Sequence, residues 1–119
     1  MMKRHFYKNG KLDLDWLDKK AEQEARGFVK YLSSNQLRSF YSEFKRLEQI
    51  AYDDFDLILP HIKLIKAKAN YKKVKRQRGW DKNFTFFLFE LIDTIEDEKT
   101  LHNACMILEA LVGFFPKNR

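Results

Sequence analysis

Eight lysines and arginines fall within 24 consecutive residues that contain no Asp or Glu, the run LILPHIKLIKAKANYKKVKRQRGW from Leu57 to Trp80. They are Lys63, Lys66, Lys68, Lys72, Lys73, Lys75, Arg76 and Arg78. Elsewhere the balance inverts, with 15 basic residues against 17 acidic ones, so the net charge of +6 is the product of this one segment. Clustered positive charge makes a local field that attracts polyanions, and its natural chemistry is neutralisation of phosphates. Tyr71 and Trp80 lie inside the cluster, and aromatics among cations suit stacking on a base or a sugar, although for either ring alone core packing is the ordinary expectation.

Other chemistry is poorly supplied. The four glycines are scattered, so there is no phosphate-cradling loop. His5, His61 and His102 are far apart, and His102 with Cys105 makes only a lone pair of would-be metal ligands. The acidic pairs Asp53/Asp54 and Glu96/Asp97/Glu98 fall at helix junctions, where capping accounts for them. Ser33, Ser34, Ser39 and Ser42 have no histidine partner in a recognisable motif. A single cysteine excludes an intramolecular disulfide, and Cys105 reads as a small buried hydrophobe on a helix face. No catalytic residue, metal site or cofactor is therefore expected. The basic start MMKRHFYKNG leads into charged sequence and fits no signal peptide, and nothing approaches the ~20 apolar residues of a membrane span. A cytoplasmic protein without membrane contact is expected.

The elements that must carry the cluster are helical. With 119 residues, 45% of them hydrophobic, the chain predicts one all-α domain over 1–119, a compact bundle of about five helices, with 1–12 irregular. Leu14, Leu17, Ala21, Ala25 and Phe28 recur at helical spacing and predict a first helix from about Asp13 to Tyr31. Its polar later part, KKAEQEARG, would lie in solvent or reach across to another chain. Ser33 with Gln36 fits a capping box opening a second helix that buries Leu37, Phe40, Tyr41, Phe44, Leu47 and Ile50. A turn at Asp54–Leu59 then feeds a long helix from Pro60, suited to a first turn, to about Gln77, ending at Gly79. A fourth helix, Asp81 to about Ile95, is apolar on all sides and must be buried on several. The fifth, about Glu98 to Phe115, carries one apolar stripe and stops at Pro116.

Projected at roughly 100° per residue, the long basic helix has two apolar stripes. Ile58, Ile62, Ile65 and Ala69 form one, and Leu64, Ala67, Tyr71 and Val74 form the other. Lys63, Lys66 and Lys73 fill one band between them; Lys68, Lys72 and Lys75 fill the second. Such a helix packs against two things, either two layers of its own bundle or its bundle and a second subunit. Arg38, Lys45 and Arg46 on the second helix would extend the patch, diluted by Glu43 and Glu48.

Three stretches resemble a known family. These are Leu37-Arg38 with Phe40-Tyr41 and Glu43, the run from Leu59-Pro60 through Lys63-Leu64, Lys66-Ala67-Lys68 and Tyr71 to near Gly79, and LEALVGFF at Leu108–Phe115. Together they resemble the small subunit of the type III-A CRISPR effector, the Csm complex. The resemblance implies a non-catalytic helical bundle that stacks in several copies beside the other subunits. It would contact the backbone of guide and target RNA, or of single-stranded DNA, without reading sequence. The residues it implies for RNA binding are Arg38, Lys63, Lys66, Lys68, Lys72, Lys75, Arg76 and Arg78. The stretch from Met1 to Tyr31 departs most from the pattern and leaves open an intertwined homodimer in isolation. The alternatives are the type III-B small subunit, a free-standing helical nucleic-acid binder, and a protein–protein adaptor whose lysines face acidic partners.

Overall fold

The computed structural model describes residues 3–51 and 54–116; Asp53 of the expected acidic boundary lies outside them. Among the described residues the chain is all-α, with five α-helices and one minute hairpin. Strands β1 (Tyr7–Lys8) and β2 (Lys11–Leu12) pair antiparallel, Tyr7 opposite Leu12. Asn9 and Gly10 both have positive φ, 53° and 76°, the combination a two-residue type I′ turn requires. The N-terminus is therefore ordered where an irregular segment is expected, and the reason is tertiary. Phe6 is buried against Trp16 and Phe87, the Trp16 indole donates to the His5 carbonyl at 2.8 Å, and Asn103 donates to the Tyr7 hydroxyl at 3.0 Å. Arg4 joins Glu24 at 2.5 Å and Glu90 at 2.6 Å.

The expected first helix is two pieces, a 3₁₀ turn at Leu14–Leu17 and α1, Lys19–Phe28. The break is at Asp18, whose φ of −140° and ψ of −113° leave the helical region; Asp13 starts the 3₁₀ turn, accepting from the Asp15 N–H and holding Lys20 at 2.8 Å. The polar stretch KKAEQEARG is amphipathic: Ala21, Ala25 and Phe28 enter the chain's own core.

Helix α2 (Ser34–Ile50) is capped by Ser33, whose hydroxyl accepts from the Gln36 N–H at 3.2 Å. Only that half of the expected capping box forms, since the Ser33 N–H donates instead to the Gly79 carbonyl at 2.9 Å. Tyr41 is half-buried and Ile50 exposed, so the buried face of α2 is Leu37, Phe40, Phe44 and Leu47. Helix α3 (Phe55–Val74) starts five residues before the expected Pro60, because Asp54 caps it. Pro60 consequently sits inside the helix. The carbonyl whose helical donor it removes is that of Asp56, and both residues are exposed, so the loss falls on the solvent side.

The α3 C-terminus comes earlier than the expected Gly79. Arg76 donates to the Lys73 carbonyl (3.1 Å) and Gln77 to that of Lys72 (3.0 Å), the paired bonds of a Schellman ending. Arg76 takes the left-handed position there, φ 49°, which glycine or asparagine usually fills. Gly79, φ 77°, lies against Ser33, whose hydroxyl a Cβ would approach to 3.2 Å. Helices α4 (Lys82–Ile92), capped by Asp81, and α5 (Glu98–Phe114), opened by a full Asp97–Thr100 capping box, complete the fold. Helix α5 packs on α1 and α2, and α3 packs on α4 and α2.

Two substitutions in the α3–α4 loop are expected to act in opposite directions. Arg76→Gly relieves the left-handed strain and should raise stability by about 1 kcal/mol. Gly79→Ala adds such strain against Ser33 and should lower it by about 1–2 kcal/mol. Urea-denaturation midpoints check both.

Candidate nucleic-acid interface

Of the two apolar stripes on α3, one is core. Ile58, Ile62, Ile65 and Ala69 are buried. The other faces solvent along the whole helix: Leu57, Leu64, Tyr71 and Val74 are each more than 60% exposed, and Ala67 is exposed with them. The helix therefore packs on its own bundle through one stripe only. Spanning about 30 Å, it presents its opposite side outward as an apolar strip between two bands of lysine.

Those bands are not loose. On the α4 side, Lys66 and Lys73 extend their ammonium groups over the Phe89 and Phe86 rings, 5.4 and 5.1 Å from the centroids. On the other side, Lys68 reaches over Phe40, Lys72 over Trp80 and Lys75 over Tyr71, at 5.7–5.8 Å. The stems lie along aromatic rings, most of them at the rim of the core, while the charges stay in water. Lys72 also donates to the Gln77 amide oxygen at 3.3 Å. Lys66 forms an ion pair with Asp93 at the end of α4. Among the described residues, Arg38, Lys63, Lys68, Lys72, Lys75, Arg76 and Arg78 make no ion pair. The tertiary fold supplies few of the acids that α3 lacks.

The expected patch splits on α2. Glu43 is held below the usual carboxylate range by its hydrogen bond to Arg46 at 2.9 Å, with weaker help from Lys68 and His61, so this flank of α2 faces α3. Arg38 lies on a different flank, lining a cleft with Val112, Phe115 and Pro116 at the end of α5. Lys45 pairs with Glu48 at 3.0 Å. Arg46 and Lys45 are thus neutralised on their own helix, and Arg38 stands apart from the α3 lysines. Arg76 and Arg78 extend from the α3–α4 loop beside Tyr31 of the α1–α2 joint. Sequence spacing could not reveal Tyr31 as a neighbour of these arginines, because a tertiary contact, the Ser33–Gly79 backbone bond, brings the two loops together.

Trp80 is not available for stacking. It is buried, its ring lies against Phe40 and Phe84, and its indole N–H donates to Thr85 at 2.8 Å. Tyr71, at 61% exposure, is the aromatic of the basic helix that reaches solvent. Elsewhere, His102 contacts Glu48 across the α2–α5 seam, and burial, aided by Glu48, pushes the Cys105 thiol up to about 12. A thiol so protonated is no nucleophile at neutral pH. Among the described residues no three His, Cys, Asp or Glu side chains are grouped as metal ligands, and no helix is long and apolar enough to cross a membrane.

A five-helix protein whose longest helix carries no acid after Asp56, is cationic on its outer side and packs on one side only defines the class, a small helical protein with an open basic face. The model of the family described as Csm2 Type III-A matches residues 11–116, nearly the whole chain, and the protein belongs to that family. It is a small subunit of the type III-A CRISPR effector, the Csm complex, in which it works with other subunits. No individual curated protein and no solved structure matches the chain.

The two aromatics of the basic segment should separate cleanly. Trp80→Ala is expected to cost about 3 kcal/mol or more, and Tyr71→Ala to stay within about 0.5 kcal/mol, in urea titrations. Cys105 should resist iodoacetamide at pH 8 in the folded protein and react fully in urea; rapid native labelling would contradict the buried-thiol assignment.

Proposed function

We propose that this subunit grips the sugar–phosphate backbone of guide and target RNA without reading sequence, in several stacked copies, and has no catalytic role of its own. It does so in the cytoplasm. The observation that carries this reading is the row of cations on one rigid helix and the loop after it, Lys63, Lys68, Lys72, Lys75, Arg76 and Arg78, none in an ion pair among the described residues. An RNA-guided duplex is recognised through its backbone, a task for charges spread along a helix. Lys66 contributes less than its neighbours, since Asp93 already compensates it. Arg38, on another flank, belongs to a separate contact with the RNA or with the next copy.

A protein–protein role on the same helix is favoured by one specific feature, the exposed strip of Leu57, Leu64, Tyr71 and Val74. Water-exposed apolar rows rimmed by charge are typical of surfaces that neighbours cover. The two roles are compatible, the strip meeting a subunit and the flanking lysines meeting phosphate.

Salt dependence tests the phosphate contacts. Log K for RNA should fall with log salt at about −0.7 per phosphate neutralised, so Lys68→Gln, Lys72→Gln and Lys75→Gln together should flatten the slope by roughly 2. Binding measured by anisotropy in the assembled complex, where several copies add their affinities, gives the clearest reading. An unchanged slope would favour the adaptor role alone.

A further inference from the structure

We infer that the joint between the α1–α2 turn and the α3–α4 loop is a binding site for unpaired nucleotides of an RNA strand, with Tyr31 as the stacking ring. The inference rests on the RNA-binding reading above and adds a location and a form of RNA to it. Tyr31 is 60% exposed, yet it is not on an open plain: it is the wall shared by two adjoining clefts. One, of about 570 Å³, is lined also by Lys73, Arg76, Lys82 and Asn83. The other, of about 420 Å³, is lined also by Ser34, Asn35 and Arg78. Each has the size of a small-ligand site.

The two clefts repeat one donor set around one ring. Each offers an arginine without an ion pair among the described residues and a side-chain amide. Cations meet phosphates, amides meet base edges, and an aromatic face meets a base of any identity. Paired, stacked bases present no face to a concave cleft, so the ligand these features fit is single-stranded and splayed. Asp81 also borders the larger cleft, but it is buried and its carboxylate is used to cap α4, accepting from the Asn83 N–H at 2.8 Å, so selection for a nucleotide over inorganic phosphate falls to the Tyr31 ring. The helix N-terminus itself is thereby occupied and contributes nothing to the site.

The placement is built rather than incidental. The Ser33 N–H donating to Gly79 clamps the arginine-bearing loop against the Tyr31 turn. Arg76 holds a left-handed position where glycine would be easier, and its side chain lines the larger cleft.

Titration of the isotope-labelled full chain with adenosine 5′-monophosphate, followed by NMR, tests the site. Shifts should centre on Tyr31, Arg76, Lys82 and Asn83, inorganic phosphate should produce no comparable pattern, and Tyr31→Phe should bind like the parent. Tyr31→Ala should weaken binding by about fivefold or more, the loss of one stacked base. Arg76→Gly should weaken it too while the melting temperature rises, a pairing that a merely structural role would not give. Shifts spread along the outer lysines of α3, or none at millimolar nucleotide, would overturn the site, as would full affinity in Tyr31→Ala. The broader reading fails separately. Salt-dependent RNA binding that survives Tyr31→Ala and Arg76→Gly but falls in the triple lysine variant sinks the cleft alone. Cleft-confined nucleotide binding with no effect of the lysines on RNA sinks the backbone reading and leaves the cleft.

Discussion

Phe84 and Phe87, one turn apart on α4, are the contact around which the other elements are arranged. Their rings stack, 6.0 Å between centroids and 14° between planes. Phe28 of α1 meets both edge-on at 5.3 and 5.6 Å, Phe6 from the N-terminal segment meets Phe87, and Phe40 and Trp80 close on Phe84. Edge-to-face contacts of this kind add about 0.5–1.5 kcal/mol each beyond the burial of the rings. A helix of only 11 residues can serve four neighbours because seven of its side chains are apolar and they point to several sides. That is also why the first residues are ordered: Phe6 fills the column's open end, and Arg4 reaches Glu90 of α4 beside it.

The aromatic column decides what α3 can do. With α4 committed on several sides, α3 is left a groove beside α2 and α4, wide enough for its isoleucine stripe and no more. Its lysines then emerge at the edges of that groove, over Phe40, Phe86, Phe89 and Trp80, and its second apolar stripe is left outside. The same contacts that finish the core thus set a charged surface at its edge. The loop after α3 is handled in the same way, pinned at Gly79 to the α1–α2 joint, which sets Arg76 and Arg78 on either side of Tyr31.

Much of this was legible in the chain itself. Helix number and order follow from apolar spacing and from caps such as Ser33, Asp81 and Asp97, which act within three residues and need no tertiary context. The two stripes of α3 follow from its periodicity. Local rules misjudged several boundaries, two of them at the ends of α3. Pro60 marks a helix start in general, but Asp54 is a stronger cap upstream and the lost bond at Asp56 faces water. Gly79 resembles a helix stop, but Arg76 makes the turn. For Trp80 the ordinary expectation of core packing holds, since the ring lies buried beside Phe40 and Phe84.

By itself the sequence determined that the protein is all helical, that its positive charge is confined to one segment, and that this segment has two apolar stripes. These are properties of composition and of side-chain period, and no packing can alter them. Only the tertiary structure decided which stripe is core, which lysines keep their charge uncompensated, and that Tyr31 stands beside two arginines some 45 positions away. Periodicity assigns residues to faces of one helix, whereas neighbourhood between helices depends on how their volumes fill a shared core. Here that core is built around Phe84 and Phe87.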